Sequence, residues 1–198
     1  MRLNCVATAL CLFAEAFAQT PPAPDAILVA GTSPAPNRAT DAVLTPQSLA
    51  LAPDGTLYLA DQRHVWRVDT AGVLSVVPGP WEAAPQGTTI VTAIAADAGG
   101  NLFVAEWIQH QIWRVTPQGA ITTIAGLGTQ PPDGSGAVPA NSVAIVATSL
   151  AVDLQGDIFF SGNTARVWKI SPDGLLRPFA GTGLMGVPQP TEIGRAHV

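Results

Sequence analysis

The chain has 198 residues, 47% of them hydrophobic and only 12% charged, and its net charge is −5 at neutral pH. Basic residues scattered along an acidic chain form no stripe that could neutralise phosphates, which excludes nucleic acid and anionic membrane surfaces as partners. Abundant glycine and proline at low charge would suggest disorder, but the apolar residues fall in short runs between turn signals, the pattern of an all-β chain with many loops.

Residues 1–18 read as an export signal. Arg2 supplies the positive start, residues 5–12 form the apolar stretch, and Ala16-Phe17-Ala18 is a small-x-small cleavage pattern, so the mature chain is expected to begin at Gln19. The apolar run is shorter than the ~20 residues a spanning helix needs, so no membrane span is expected after cleavage. The expected location is the periplasm or the extracellular space. Both cysteines, Cys5 and Cys11, lie inside this segment; disulfides, thiol catalysis and thiolate metal sites are therefore not expected of the mature protein. Residues 19–25 contain a stiff proline-rich linker.

The rest of the chain is written in one repeated phrase. SLALAPDGTLYLAD and VWRVDTAGVLSVVPG occupy residues 48–79. AIAADAGGNLFVAE and IWRVTPQGAITTIAG lie within 93–126, and SLAVDLQGDIFFSG and VWKISPDGLLRPFAG within 149–181. A period of roughly 50 residues built from short strands and tight turns is the signature of β-propeller blades. In the middle copy the predicted strands are 93–96, 101–105, 111–115 and 120–125, separated by the turns Asp97-Ala98-Gly99-Gly100 and Thr116-Pro117-Gln118-Gly119. Gly55, Gly100 and Gly156 are equivalent, as are Trp66, Trp113 and Trp168, and the blade-ending Gly79, Gly126 and Gly181. Gly31 closes a leading strand at 26–30, placed to complete a blade whose other strands come from the far end of a closed ring. The second strands (LYLA, LFVA, IFF) are apolar without alternation, which requires burial on both faces. The repeated tryptophans are expected in the cores between blades. The fold expected over 26–191 is thus all-β: a partial β-propeller of three four-stranded antiparallel blades and one leading strand.

Residues 192–198 (EIGRAHV) match the in-frame translation of a common sequencing adapter. They are expected to be an artefact, and the chain a truncated piece of a longer coding sequence, about half a ring.

The blade pattern A-x-D-x-x-G-N-L-[YF]-V-A-[DE], then [IV]-x-[RK]-[VI], then G-x-[IL]-x-x-x-A-G, resembles NHL repeats. In particular it resembles those of exported bacterial propellers, whose blades end much as Ile124-Ala125-Gly126 and Phe179-Ala180-Gly181-Thr182-Gly183 do here. Blade three departs from the pattern, ending its second strand in Ser161-Gly162 rather than an acid.

Antiparallel order sends the tight glycine turns to one end of the blades. The other end collects the second-to-third-strand loops and the crossings at 32–47, 80–92 and 127–148, expected to be long and irregular. Variable loops on a rigid scaffold carry function, so this is the candidate binding face, with Asp61, Arg63, His64, Glu106, Trp107, His110 and Asn163 as candidate contacts. Acids and histidines at a propeller mouth could hold a divalent cation or act as acid and base. Equally, Asp61 and Glu106 are the repeat's own acid and could simply hydrogen-bond a neighbouring loop. Asp133-Gly134-Ser135-Gly136 lacks both calcium-loop and nucleophile-elbow spacing and reads as a plain turn. No phosphate-binding, dinucleotide or zinc-protease motif occurs.

Two functions follow. The first is an exported scaffold that binds a protein or glycan, with no catalytic residue, metal or cofactor. The second rests on a resemblance of the middle repeat to blades of streptogramin-type lyases and lactonases. It implies a propeller enzyme with a divalent cation at the mouth.

Overall fold

The computed structural model describes residues 38–83 and 89–184. The expected signal, linker, leading strand at 26–30 and tail at 192–198 lie outside the described residues.

Among the described residues three antiparallel sheets follow one another, each a blade of a partial propeller. The first contains β1 (Ser48–Leu51), β2 (Leu57–Ala60), β3 (Val65–Val68) and β4 (Leu74–Val76), paired in that order. The second contains β5 (Val91–Ala96), β6 (Leu102–Glu106), β7 (Gln111–Val115) and β8 (Ile121–Ala125). The third adds a two-residue strand, β9 (Val138–Pro139), outside β10 (Ser149–Val152), β11 (Ile158–Ser161), β12 (Val167–Ile170) and β13 (Leu175–Ala180). Among the described residues, helix is confined to α1 (Pro80–Ala83) and two 3-10 turns, Ala39–Asp41 and Ala140–Ser142.

The first turn of each blade is built by an aspartate whose carboxylate caps the next backbone amides. Asp97 Oδ1 accepts from Asn101 N–H at 2.8 Å, and Asp153 Oδ1 accepts from Gln155 and Asp157 N–H at 3.0 and 2.9 Å. Such side chains imitate a backbone turn and free the glycine after them to take positive φ.

Alternation along each strand gives a blade one face that carries its tryptophan, the wide face, and an opposite, narrow face. In blade two, Leu102, Val104, Trp113 and Val115 pack toward blade one, against Ala50, Tyr58, Ala60 and Val65. Phe103, Ala105, Ile112 and Ala125 point the other way and receive Phe160, Trp168, Ile170 and Leu176 of blade three. The wide, tryptophan-bearing faces of blades two and three therefore sit on the narrow face of the blade before them. The central β6 is buried at all five positions, whereas β2 and β11, in the end blades, are only partly so. This grading is the physical content of the continuous apolar runs: they are fully used only where neighbours stand on both sides.

The crossings are more regular than their sequences suggest. Ala39, Ala42 and Leu44 cover the wide face of blade one, and Ala140, Val143 and Ile145 that of blade three. Ala39 N–H donates to Gly72 O at 3.0 Å and Ala140 N–H to Gly174 O at 2.9 Å, the same contact at the same place in two blades. The strand phrases alone predict irregular loops, but the apolar triplets Ala39, Ala42, Leu44 and Ala140, Val143, Ile145 fall at matching spacing and form a second repeat.

Candidate functional site

Each second-to-third-strand loop on the long-loop face is organised by a different device. In blade one, Asp61 Oδ1 accepts from Arg63 and His64 N–H, both at 2.7 Å, and the His64 ring nitrogen lies 3.4 Å from the same carboxylate. In blade two, Glu106 is fully buried; it accepts from Ile90 and Ile108 N–H, each at 2.8 Å, and from Gln109 N–H. In blade three the equivalent position is Gly162, where a Cβ would overlap the carbonyl oxygen of Val146. The crossing backbone passes through the space an acidic side chain would need, which accounts for the departure of blade three from the repeat.

The candidate residues therefore divide. Asp61 and Glu106 spend their oxygens on backbone amides. Arg63 and His64 stay on the first loop, where the His64 ring lies 5.3 Å from that of Trp66. Glu82 lies near enough to feel the charge of His64, but burial dominates and raises its carboxyl above the usual 4.5. Trp107 and Ile108 are the exposed apolar residues of the second loop.

His110 and Asn163 are brought together. They border a cavity of about 230 Å³ between the second and third blades. Pro131, Pro132 and Ile145 line it from the crossing, Phe160 and Trp168 from blade three, and its polar groups are His110, Thr129, Asn163 and Thr164. Thr164 Oγ1 already accepts from Trp168 Nε1 at 2.9 Å. His110 Nδ1 is buried and has no hydrogen-bond partner among the described residues. The residue is held at φ 59°, a left-handed conformation uncommon for a side-chain-bearing residue. Its carbonyl accepts from Ile145 N–H at 3.0 Å. It also runs so close to Gly126, at φ 92°, that a Cβ there would overlap it.

Arg166 holds the crossing over this site. Its guanidinium lies 5.7 Å from the Trp168 ring centroid and donates to Asp133 O at 3.3 Å and Thr182 O at 2.7 Å. Asp133 Oδ1 accepts from both the N–H and the hydroxyl of Ser135 at 2.8 Å, which holds its carboxyl below the usual 3.8. The turn at Asp133 is thus plain in chemistry, as its spacing suggested, yet it anchors one side of the cavity. Thr129, Pro131, Pro132, Thr164 and Trp168 were not singled out as site residues; only the pairing of crossing and blade reveals them.

No protein-family model matches the chain, and no curated protein matches it. Among solved structures it is similar to a Bacteroides thetaiotaomicron protein of unknown function, with TM-score 0.53 and 13% identity over 68% of this chain and 35% of that one. It is also similar to the extracellular domain of a hybrid two-component system of the same organism, with TM-score 0.50 and 15% identity over 74% of this chain and 18% of the other. Virginiamycin B lyase from Staphylococcus aureus aligns with TM-score 0.46 and 19% identity over 68% of this chain and 40% of the enzyme. At these identities the likeness is one of fold, and the chain spans well under half the length of each.

Proposed function

We propose that this protein is an exported NHL-type propeller that binds a protein or glycan ligand on its long-loop face and has no catalytic centre of its own. The observation that carries this reading is the employment of Asp61 and Glu106. Carboxylates that accept two or three backbone N–H groups are loop staples, and a staple makes a poor general base or metal ligand. What the same face offers is recognition chemistry: the exposed Trp107 and Ile108, and the cavity at His110 and Asn163. The repeated blade phrase supports the NHL reading, and residues 1–18 support export.

The test is a screen of the protein against a glycan array and a displayed peptide library, followed by Trp107→Ala. Selected ligands are expected to lose affinity with little change in melting temperature. A lower melting temperature with unchanged affinity would assign Trp107 to packing and remove it from the site. Metal-dependent turnover of a lactone or cyclic ester would instead establish the enzymatic alternative.

A further inference from the structure

We propose that a second copy of this chain docks head to tail. The wide face of blade one in each copy covers the narrow face of blade three in the other, and two chains close one ring of six blades. This does not depend on the ligand reading above.

The first argument is that each exposed face is half of a junction the chain already makes twice. On the wide faces, Leu49, Ile94 and Leu150 are the same residue of successive blades, each pairing with the matching residue of its second strand. Ile94 is 3% exposed in the junction with blade one, and Leu150 packs into the core between blades two and three. Leu49 is 62% exposed. On the narrow faces, Val77, Ile124 and Phe179 each stand two residues before a blade-ending glycine. Val77 is buried and Ile124 packs against its junction's core, whereas Phe179 is exposed. Ala50 and Ala95 are likewise buried, and their counterpart Ala151 is exposed. Both halves of a third junction therefore stand uncovered on one chain.

The second argument is that the two formed junctions show what covers such a face. The narrow faces of blades one and two each bring an aromatic ring to the junction, Tyr58 and Phe103. Blade three carries Phe159 at that position, in edge contact with Phe179 at 4.9 Å. The cations of this face, Lys169 and Arg177, are paired with Asp157 and Asp173 at 2.8 and 3.4 Å, so neither opposes docking as a bare charge. On the wide side, Ala39, Ala42 and Leu44 already lie against blade one as Ala140, Val143 and Ile145 lie against blade three. That face has its crossing in place and lacks only the blade beyond it.

The third argument is closure. A head-to-tail contact makes a ring when its rotation closes and an open array when it does not. Propellers close with ~4–8 blades. One copy supplies three, two supply six and three supply nine, so only the pair falls within that range. Rotation about the ring axis keeps both long-loop faces on one rim, which then presents Trp107 and Ile108 twice.

The test is sedimentation velocity with light scattering on the purified full chain. A particle of twice the chain mass is expected, and it should not grow with concentration. Leu49→Glu with Leu51→Glu blocks the wide face, and Ala151→Glu with Phe179→Glu blocks the narrow one. Each variant alone should dissociate at least about tenfold more readily. In an equimolar mixture, the unaltered wide face of one variant meets the unaltered narrow face of the other. Association should then return through a single junction, tighter than either variant alone. Recovery on mixing also shows that both variants are folded; should the glutamates unfold the chain, Leu49→Ser and Phe179→Ser take their place. A monomer at high micromolar concentration overturns the proposal, as does a series growing beyond two chains. A pair broken by only one of the two variants means a face that docks on itself, and a mixture no better than its parts denies the head-to-tail contact; either result overturns it too.

Discussion

Glu106 and Ile90 are joined across the opening of blade two by a 2.8 Å hydrogen bond from the Ile90 N–H to a carboxylate with no exposed surface. That one side chain satisfies three backbone donors. Glu106→Ala would leave these part-buried donors without their acceptor, at roughly 1–3 kcal/mol for each that water cannot reach. The expected result in urea unfolding is a loss of roughly 1–3 kcal/mol. A loss below about 1 kcal/mol would mean that solvent replaces the carboxylate and that the loop is not stapled by it.

The capping carboxylates predict a pH dependence with a definite sign. Asp54, Asp133 and Asp173 lie below their usual 3.8, chiefly because Thr56, Ser135 and Leu175 N–H groups donate to them. Their support is present above the unfolded-state value and is lost as the pH falls through the lower, folded-state one. Glu82 runs the opposite way: its raised carboxyl disfavours the folded state as the pH rises through 4.5 and beyond. Amide chemical shifts of Thr56, Ser135 and Leu175 should titrate with midpoints below 3.8, and Glu82 above 4.5. Midpoints on the wrong side of these values would contradict the capping geometry.

Gly126→Ala tests the approach of the His110 carbonyl. The new Cβ would meet that oxygen at a backbone φ of 92°, so both space and conformation oppose it. A loss of roughly 2 kcal/mol or more is expected, within the range of such backbone effects. Gly119→Ala, at φ 84° but in open space, separates the two causes and should cost less. Equal costs would show that conformation alone is responsible.

The open blade faces predict association. Leu49 and Leu51 on the wide face of blade one are 62% and 68% exposed, and Phe179 at the far side of blade three is 58% exposed. Sedimentation velocity should show concentration-dependent association, reduced by Leu49→Glu with Leu51→Glu. A single monomeric species at high micromolar concentration would mean that these faces are already covered.

Much of the architecture was legible because the repeat states each blade three times. The equivalent glycines, tryptophans and second-strand runs place the turns, the inter-blade cores and the faces without any long-range information. The role of Asp61 and Glu106 was visible only as a choice between two uses, since a carboxylate beside a loop looks the same whether it binds metal or backbone. The cavity was half visible. His110 and Asn163 could be placed on the right end of the fold, but their meeting depends on where the crossing lies. The clue there is subtle: Pro131 and Pro132, a proline pair that reads as an ordinary loop.

The pairing of wide face on narrow face makes both described blade junctions polar, in the sense that a brick with a tongue and a groove is polar. Blade two presents to blade three the same kind of surface that blade one presents to it. Blades built this way are interchangeable units with a fixed direction. A copy of the segment from Gly79 to Gly126 inserted in tandem should find a fitting neighbour on each side, while the same segment offered in reverse order of faces would find none. Arrays of this kind can lengthen by duplication without inventing a new interface, and the tryptophan register is the mark by which each added blade would be recognised.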